Sequence, residues 1–326
     1  ASWWNDARAF VTSANFTEVQ ISDPEIVINW TPTDVNGTGT IDFQPQDTTP
    51  LFTDGSGFSS PNFTVLNRII PVDGTNTPVN RIIAFNGTVN SGIGGTTQGN
   101  IWFYSPGGIL VGANAQFNVG SLVLTTADID RDGGLYGQGN TIRFRGAPNV
   151  ASAVSIASGA QINALSTDSA YIALVAPRVV QGGELRADGP IALVGAEEAD
   201  ISINAGLFGI TITQGTTDTT GIEHTGTTGG PPAQNPIDPR RITMVAVPKN
   251  DALTMLLSGT IGYSPADFIV TDEGGVVLSA GQNLGYSSTP LSGDAGYIQI
   301  GNDLFLLLHF DFQLLAVFLA ELVQIR

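Results

Sequence analysis

Apolar residues recur along the chain in short runs that end at clusters of Gly, Pro and Asn. The stretch Asn100–Ile129 contains three such runs, Ile101–Tyr104, Ile109–Val111 and Phe117–Leu124, with no helix-length amphipathic segment between them. Short apolar runs bounded by turn residues predict strands joined by tight turns. Such strands are buried when the chain coils and each turn stacks on the next, with alternate side chains in a narrow core. We interpret this stretch as one and a half coils of a β-solenoid.

A repeat further along the chain supports the same interpretation. The runs Ala173–Val175 and Ala192–Val194 are near copies, and the isoleucines that precede them, Ile172 and Ile191, lie 19 residues apart. A period of about 20 residues is typical of one coil made of three short strands with turns. The sequence therefore predicts an all-β fold, a right-handed parallel β-helix over roughly residues 20–300, with like residues stacked in its core.

Composition divides the chain into segments around this solenoid. Residues 214–241 are rich in Gly, Thr and Pro, and proline lacks the N–H that a central strand donates, so we expect a loop that leaves the solenoid wall. The adjacent Trp3 and Trp4 are expected to cover the open end of the first coil. The predicted division is an N-terminal cap at 1–25, solenoid at 26–213, the loop at 214–241, further coils at 242–303 and an apolar tail at 304–326.

Charge and cysteine content narrow the classes of partner and compartment. Charged residues make up only 13% of the chain, against 40 Gly and 18 Pro, which indicates a turn-dense β protein. The net charge is −17 and the single lysine is Lys249, a balance that opposes binding to nucleic acid or anionic membranes. The chain has no cysteine. This suits a chain exported unfolded and stabilised by stacking alone, although chance or a reducing compartment would also explain it.

The first residues bear on localisation. The segment Ala1–Trp4 has no Met, no basic region and no apolar leader. We therefore expect a mature secreted chain from which a signal peptide has been removed.

Four short elements, in order, carry a family resemblance. The elements are Leu66–Arg68, Phe85–Val89, Ser105–Ile109 and Asn118–Thr126. They resemble L-N-R, I-N-G-T-L, N-P-N-G-I and N-V-G-G-L-V-A-S-T of the haemagglutination-activity, or two-partner-secretion, domain of filamentous-haemagglutinin-like adhesins. The residues that match this pattern or stand at its positions are Asn67, Asn86, Gly87, Ser105, Pro106, Gly107, Gly108, Ile109, Asn118 and Gly120.

Ser105 and Gly107 replace both asparagines of the family's N-P-N-G turn, a departure that leaves the expected fold unchanged. The likeness continues more loosely through Ala170–Ile201 and fades beyond about residue 210.

The resemblance implies a function. Members of this family are recognised by a dedicated outer-membrane transporter of a Gram-negative bacterium and display an adhesive fibre, so we expect a secreted or cell-surface adhesin with a host or surface receptor and no cofactor. One alternative is a subunit that assembles end to end into an extracellular filament. A third hypothesis keeps the fold and makes the chain a carbohydrate-active β-helix enzyme.

Candidate chemistry is sparse. Asp128, Asp130 and Asp132 follow the D-x-D-x-D-G spacing of a calcium loop, but the position that needs Glu is Gly139, so we favour a solvated acidic turn between coils. An enzyme would place these carboxylates beside Arg143 and Arg145. We prefer to interpret both arginines as outward-facing strand residues.

His224 lies beside Glu223 in the predicted loop, with no second His and no nucleophile with a plausible partner near it in the sequence. We interpret the pair as solvated. We predict no catalytic centre and no metal site.

The tail, Leu304–Arg326, contains no Gly, Pro, Ser, Thr or Asn. Its first half alternates as a strand does, and its second half has one apolar helical face. Asp311, His309 and Glu321 make a membrane span costly. We expect the tail to cover the last coil or to insert into a neighbouring copy. The residues assigned to assembly are Leu308, Phe310, Phe312, Leu315, Phe318 and Leu322.

Overall fold

The structure is a computed structural model. It describes residues 7–13, 15–34, 37–54, 63–146, 151–166, 170–204, 207–231, 241–247, 249, 253–263, 275–280 and 297–307.

Every regular element among these residues is a β-strand, because the apolar runs are short and Gly, Pro or Asn ends nearly all of them. The strands are β1 (Ala7–Ser13), β2 (Phe16–Ile21), β3 (Glu25–Trp30), β4 (Ile41–Gln44), β5 (Thr49–Asp54), β6 (Thr64–Ile69), β7 (Ile83–Phe85), β8 (Thr88–Ile93), β9 (Thr96–Thr97), β10 (Asn100–Tyr104), β11 (Ile109–Val111), β12 (Gln116–Val119), β13 (Ser121–Thr125), β14 (Asp128–Ile129), β15 (Thr141–Arg145), β16 (Ala153–Ile156), β17 (Gln161–Ala164), β18 (Ile172–Ala176), β19 (Arg178–Gln181), β20 (Glu184–Ala187), β21 (Ile191–Asn204), β22 (Leu207–Gly215), β23 (Ile222–His224), β24 (Thr227–Gly230), β25 (Arg241–Ala246), β26 (Leu253–Tyr263), β27 (Gly275–Ala280) and β28 (Tyr297–Leu307).

The chain coils as a parallel β-helix, as the sequence predicts. Strand β10 pairs in parallel with β13, with Asn100 opposite Ser121, so the stretch Asn100–Ile129 closes one coil and starts the next. Strands β18 and β21 place Ile172 opposite Ile191, which confirms the repeat as one coil. Each coil from β10 to β24 adds one strand to an 11-stranded sheet and two to a 17-stranded sheet.

The interior of the coils is apolar and closely packed. Alternate side chains of each wall point inward, as in β16 and β19, where buried and half-buried positions alternate. Phe85, Phe103 and Phe117 come from β7, β10 and β12 and pack edge to face, with ring centroids 4.8 to 6.1 Å apart. Such stacks add to the area burial that stabilises a solenoid without disulfides.

The parallel strands of the 11-stranded sheet are also covered on their outer face. The hairpin of β14 and β15 and the antiparallel pair formed by β22 with the second half of β21 belong to the same sheet by pairing and fold over those parallel strands. Their apolar residues form a second core with outward side chains of the solenoid, among them Trp102, Tyr104 and Val123. The predicted solenoid at 26–213 included the strand Thr141–Phe144 as part of a coil, and this is wrong. The strand belongs to an inserted antiparallel hairpin. Its alternating pattern predicts one buried face but does not determine which surface covers that face.

The predicted loop at 214–241 is wrong for the part that the structure describes. Strands β23 and β24 pair in parallel with β19 and β20 on one side and with β26 on the other, so they are wall strands. Of the four prolines in this segment, only Pro231 lies in the described residues, immediately after β24; residues 232–240 lie outside them.

At the N-terminus, β1 and β2 form an antiparallel pair, and β2 adds to the sheet beside β5. The capping role of residues 1–25 stays a prediction, and Trp3 and Trp4 lie outside the described residues.

Candidate functional site

Asn67, the centre of the first family-like element, is a fully buried structural residue. It lies on β6, where its Oδ1 accepts a hydrogen bond from Trp30 Nε1 at 3.0 Å and its Nδ2 donates to the carbonyl oxygen of Trp102 at 3.2 Å. A polar group with no access to water needs such partners. Asn67 therefore joins three successive strands, β3, β6 and β10, and presents no surface to a partner.

Asn86 and Gly87 form a corner between β7 and β8. Asn86 is half-buried and donates from Nδ2 to Asp42 Oδ1 at 2.8 Å. A Cβ on Gly87 would lie 2.5 Å from the carbonyl oxygen of Thr48, a distance that real side chains do not reach. Glycine is required here because the preceding coil passes too close for any side chain.

Residues Ser105–Gly108 form the turn that links β10 to β11. Gly108 N–H donates to the Ser105 carbonyl oxygen at 3.4 Å, and Gly108 has a φ of +122°, which favours glycine. A Cβ on Gly107 would overlap the backbone of Arg81. All four residues are buried, as is Ile109, the first residue of β11. The Ser105 hydroxyl has no hydrogen-bond partner among the described residues.

Asn118 belongs to an outward amide ladder on the next wall. It accepts from Asn163 Nδ2 at 3.1 Å and donates to Asn90 Oδ1 at 3.0 Å, so one amide from each of three strands joins the row. Gly120 starts the following corner, where a Cβ would lie 2.5 Å from the Gly99 carbonyl oxygen. The four family-like elements thus occupy different strands and corners and do not converge on one site.

A buried hydroxyl cluster, which the sequence analysis missed, anchors the covering hairpin. Tyr171 Oη accepts from Trp102 Nε1 at 2.9 Å and lies 2.7 Å from Tyr136 Oη. Burial is the main reason that the pKa values of Tyr171 and Tyr136 are raised above the usual tyrosine value. Both tyrosines therefore remain neutral hydrogen-bonding groups over the physiological range.

The acidic stretch is a set of ion pairs rather than a cation loop. Asp128 is bonded to the Arg68 guanidinium, and Asp130 Oδ2 lies 3.5 Å from Arg143 Nε. The Asp132 carbonyl oxygen accepts from Arg143. Within the described residues, no group of three or more His, Asp or Glu side chains is arranged to hold a metal ion. The stretch begins with β14 at Asp128 and continues into the connection to β15, so the expectation of a turn between coils is wrong in its position.

The arginines face outward, as predicted. Arg143 and Arg145 alternate with the buried Ile142 and Phe144 on β15. Arg145 Nη1 lies 2.5 Å from Asp200 Oδ1 on β21, which ties the covering strands together.

His224 is inside the solenoid, which corrects the prediction of a solvated pair with Glu223. Its side chain has no exposed surface, because residues 222–224 form a wall strand whose alternate side chains point inward. Glu223 points outward and pairs with Arg178 at 2.9 Å.

The only lysine was not assigned a role from the sequence. Its Nζ lies 2.6 Å from Glu197 Oε2, and Glu197 is 3% exposed. Glu197 also accepts from Gln214 and Thr217. Lys249 thus compensates a buried carboxylate where the covering strands leave the solenoid.

The six residues assigned to assembly, from Leu308 to Leu322, lie outside the described residues, so their role stays a prediction. Strand β28 contains the start of the tail, residues 304–307, and pairs in parallel with β26. Among the described residues, no helix is long and apolar enough to cross a membrane.

Comparison with solved structures shows which architecture this is. The HMW1 secretion domain from Haemophilus influenzae matches 92% of this chain and 80% of its own, with a TM-score of 0.51 and 14% identity. The chain has the fold of a two-partner-secretion domain. A filamentous hemagglutinin secretion domain matches 93% of this chain and 97% of its own, with a TM-score of 0.43 and 14% identity. No protein-family model matches the chain, and no match is found among curated protein sequences.

The secretion-domain fold confirms the structural half of the resemblance seen in the motifs. At this level of identity the likeness concerns the fold alone, and the activity has to be argued from the residues.

Proposed function

We propose that this chain is the secretion module of an adhesin-like protein that a Gram-negative bacterium exports through a dedicated outer-membrane transporter. The observation that carries the proposal is the secretion-domain fold with the four family-like elements in order on its successive strands and corners. The module acts through recognition and folding, and we assign it no catalytic step and no cofactor.

The burial of the motif residues supports recognition of the chain before it folds. Asn67 and the turn Ser105–Gly108 are buried in the folded chain. A transporter that recognises these residues must therefore bind them before the coils close. A chain without cysteine that is stabilised by stacking suits this order of events, since no disulfide obstructs passage of the unfolded chain.

A partner that binds after folding would meet an acidic chain. The net charge of −17 and the paired carboxylates do not favour nucleic acid. We propose that the folded module is displayed outside the cell and that a host or surface receptor is bound by it or by an adjoining segment.

Export provides the test. The chain, with a signal peptide, is produced in a Gram-negative host with and without the two-partner transporter of its source organism, and the medium and periplasm are assayed separately. We expect the chain in the medium only when the transporter is present. Equal amounts in the medium with and without the transporter would reject the proposal.

A matched pair of variants tests whether export requires the family-like turn. Gly107→Ala blocks the closure of a family-like turn, whereas Gly74→Ala changes an exposed loop whose added Cβ meets nothing within 4 Å. We expect the first to reduce export and the second to leave it unchanged. Adhesion is tested separately by binding of the purified chain to host cells, with the heat-unfolded chain as the control.

A further inference from the structure

A cluster of polar side chains lies in the otherwise apolar interior, at the corner between two walls of the solenoid. Gln181, His224 and Thr228 have no exposed surface. Gln181 and His224 are in register on β19 and β23, and Ser258 lies on β26 where that strand turns the same corner. We call Gln181, His224, Thr228 and Ser258 the corner cluster. Buried polar groups are costly unless all their hydrogen bonds are made.

The hydrogen bonds of His224 define one protonation state. Its Nδ1 lies 2.7 Å from the Ser258 carbonyl oxygen, which can only accept, so Nδ1 carries the proton. Its Nε2 lies 2.9 Å from Thr228 Oγ1 and accepts from that hydroxyl. Ser258 Oγ donates in return to the His224 carbonyl oxygen at 3.3 Å. A neutral imidazole therefore satisfies both ring nitrogens and joins two successive coils.

A second proton on the ring does not fit this arrangement. Protonated Nε2 would become a donor facing Thr228 Oγ1, which already receives a hydrogen bond from Gln181 Nε2 at 3.3 Å. The Thr228 hydroxyl would then lose its acceptor, and an unpaired charge would lie inside an apolar core.

No described carboxylate is placed to compensate that charge. On the same strand, Glu223 points outward and is paired with Arg178 of β19. On β20, Glu184 and Arg186 lie 3.8 Å apart at half-exposed positions. Tyr263 of β26 donates to the Gly189 carbonyl oxygen. Of the two strands of the opposite wall that contact β23, β21 carries its charged residues, Glu197, Glu198 and Asp200, in the covering half outside the wall, and β25 carries Arg241 at its start.

We propose that His224 makes this corner sensitive to pH: the neutral ring joins the coil of β23 and β24 to β26, and protonation releases that contact. The ligand is the proton, and the element that responds to its binding is β26, which Ser258 joins to His224.

The direction follows from the burial of the ring. Burial is the largest effect on the pKa of His224 and lowers it below the usual 6.5, while the bond to Ser258 opposes the shift. As the pH falls below 6.5 the unfolded chain binds the proton first, so the stability present above that pH is lost on acidification. The folding equilibrium constant should fall by up to about tenfold per pH unit until the folded ring itself titrates.

The test uses the full chain with His309→Gln, since the sequence has only two histidines and this background leaves His224 as the sole imidazole. Urea unfolding is measured at about pH 7.5 and about pH 5.5, a range in which ordinary carboxylates stay ionised. We expect the unfolding midpoint to drop on acidification. In His224→Asn, whose amide can still donate toward Ser258, the drop should be absent.

Two measurements on the folded His309→Gln chain test the proposal without relying on the His224→Asn variant. The pKa of the His224 imidazole, measured by NMR titration, should lie below 6.5. Hydrogen-exchange protection factors of residues 253–263 should fall at about pH 5.5 more than those of β10 and β13. Titration at or above 6.5, or the same pH dependence in His224→Asn, would overturn the proposal.

Discussion

Replacing Asn67 by Ala removes the side chain that joins two tryptophans across the early coils. Both of its hydrogen bonds, from Trp30 and to the carbonyl oxygen of Trp102, are lost, and the small side chain leaves a gap beside them. Asn67 has no exposed surface, so water cannot replace these partners without opening the wall.

The magnitude can be worked from these contacts. Each lost hydrogen bond contributes about 0.5–1.5 kcal/mol, and leaving a buried partner unsatisfied adds about 1–3 kcal/mol. We expect Asn67→Ala to lower the free energy of unfolding by about 2–4 kcal/mol, a large part of the roughly 5–15 kcal/mol of an ordinary domain.

Urea unfolding followed by tryptophan fluorescence reports on this region, since Trp30 and Trp102 are two of the four tryptophans. The control is Asn163→Ala, which removes a half-buried amide from the outward ladder and should cost less than about 1 kcal/mol. Equal unfolding midpoints for Asn67→Ala and the wild type, or equal losses in both variants, would refute the structural role of Asn67.

Three further outcomes follow from buried contacts. Ser105→Ala should change the free energy of unfolding by less than about 0.5 kcal/mol, because the Ser105 hydroxyl has no described partner. Ser91→Ala should lower the free energy of unfolding by about 1–3 kcal/mol, because it removes the acceptor of the Gly120 N–H. Chemical denaturation of both variants tests this. Gly107→Ala should lower the melting temperature because its Cβ overlaps backbone, and Gly74→Ala should not; an unchanged melting temperature for the first contradicts the turn geometry. Burial, then the charge of Asp128, raises the pKa of Tyr104 from 10.0 to about 12, so stability present below pH 10 should decline toward pH 12; Tyr104→Phe should weaken this loss in alkaline unfolding curves.

The local pattern of the sequence was sufficient to predict the solenoid. Ile172 and Ile191 face each other because a parallel coil stacks like residues directly, so the spacing of two similar runs states the register. The family resemblance identified the glycines at 87, 107 and 120 as motif residues and assigned a turn only to the element that contains Gly107. The structure adds the reason, which is the close approach of the neighbouring coil at each corner.

Tertiary structure alone decided which elements cover which surfaces. The alternation in β15 indicates one buried face, and the same alternation fits a coil strand or a covering hairpin; contact with the outer face of the 11-stranded sheet made it the latter. The Gly, Thr and Pro content of residues 214–241 predicted a solvated loop, yet pairing with β19 and β26 placed His224 in the core.

Distance along the chain explains both kinds of result. Strand formation and coil period depend on neighbours within about 20 residues, which a pattern records. The bonds from Asn67 to Trp30 and Trp102, from Tyr171 to Trp102 and from Lys249 to Glu197 join residues 35 to 69 positions apart. These contacts depend on how many residues each coil inserts, so they arise only when the whole solenoid is stacked.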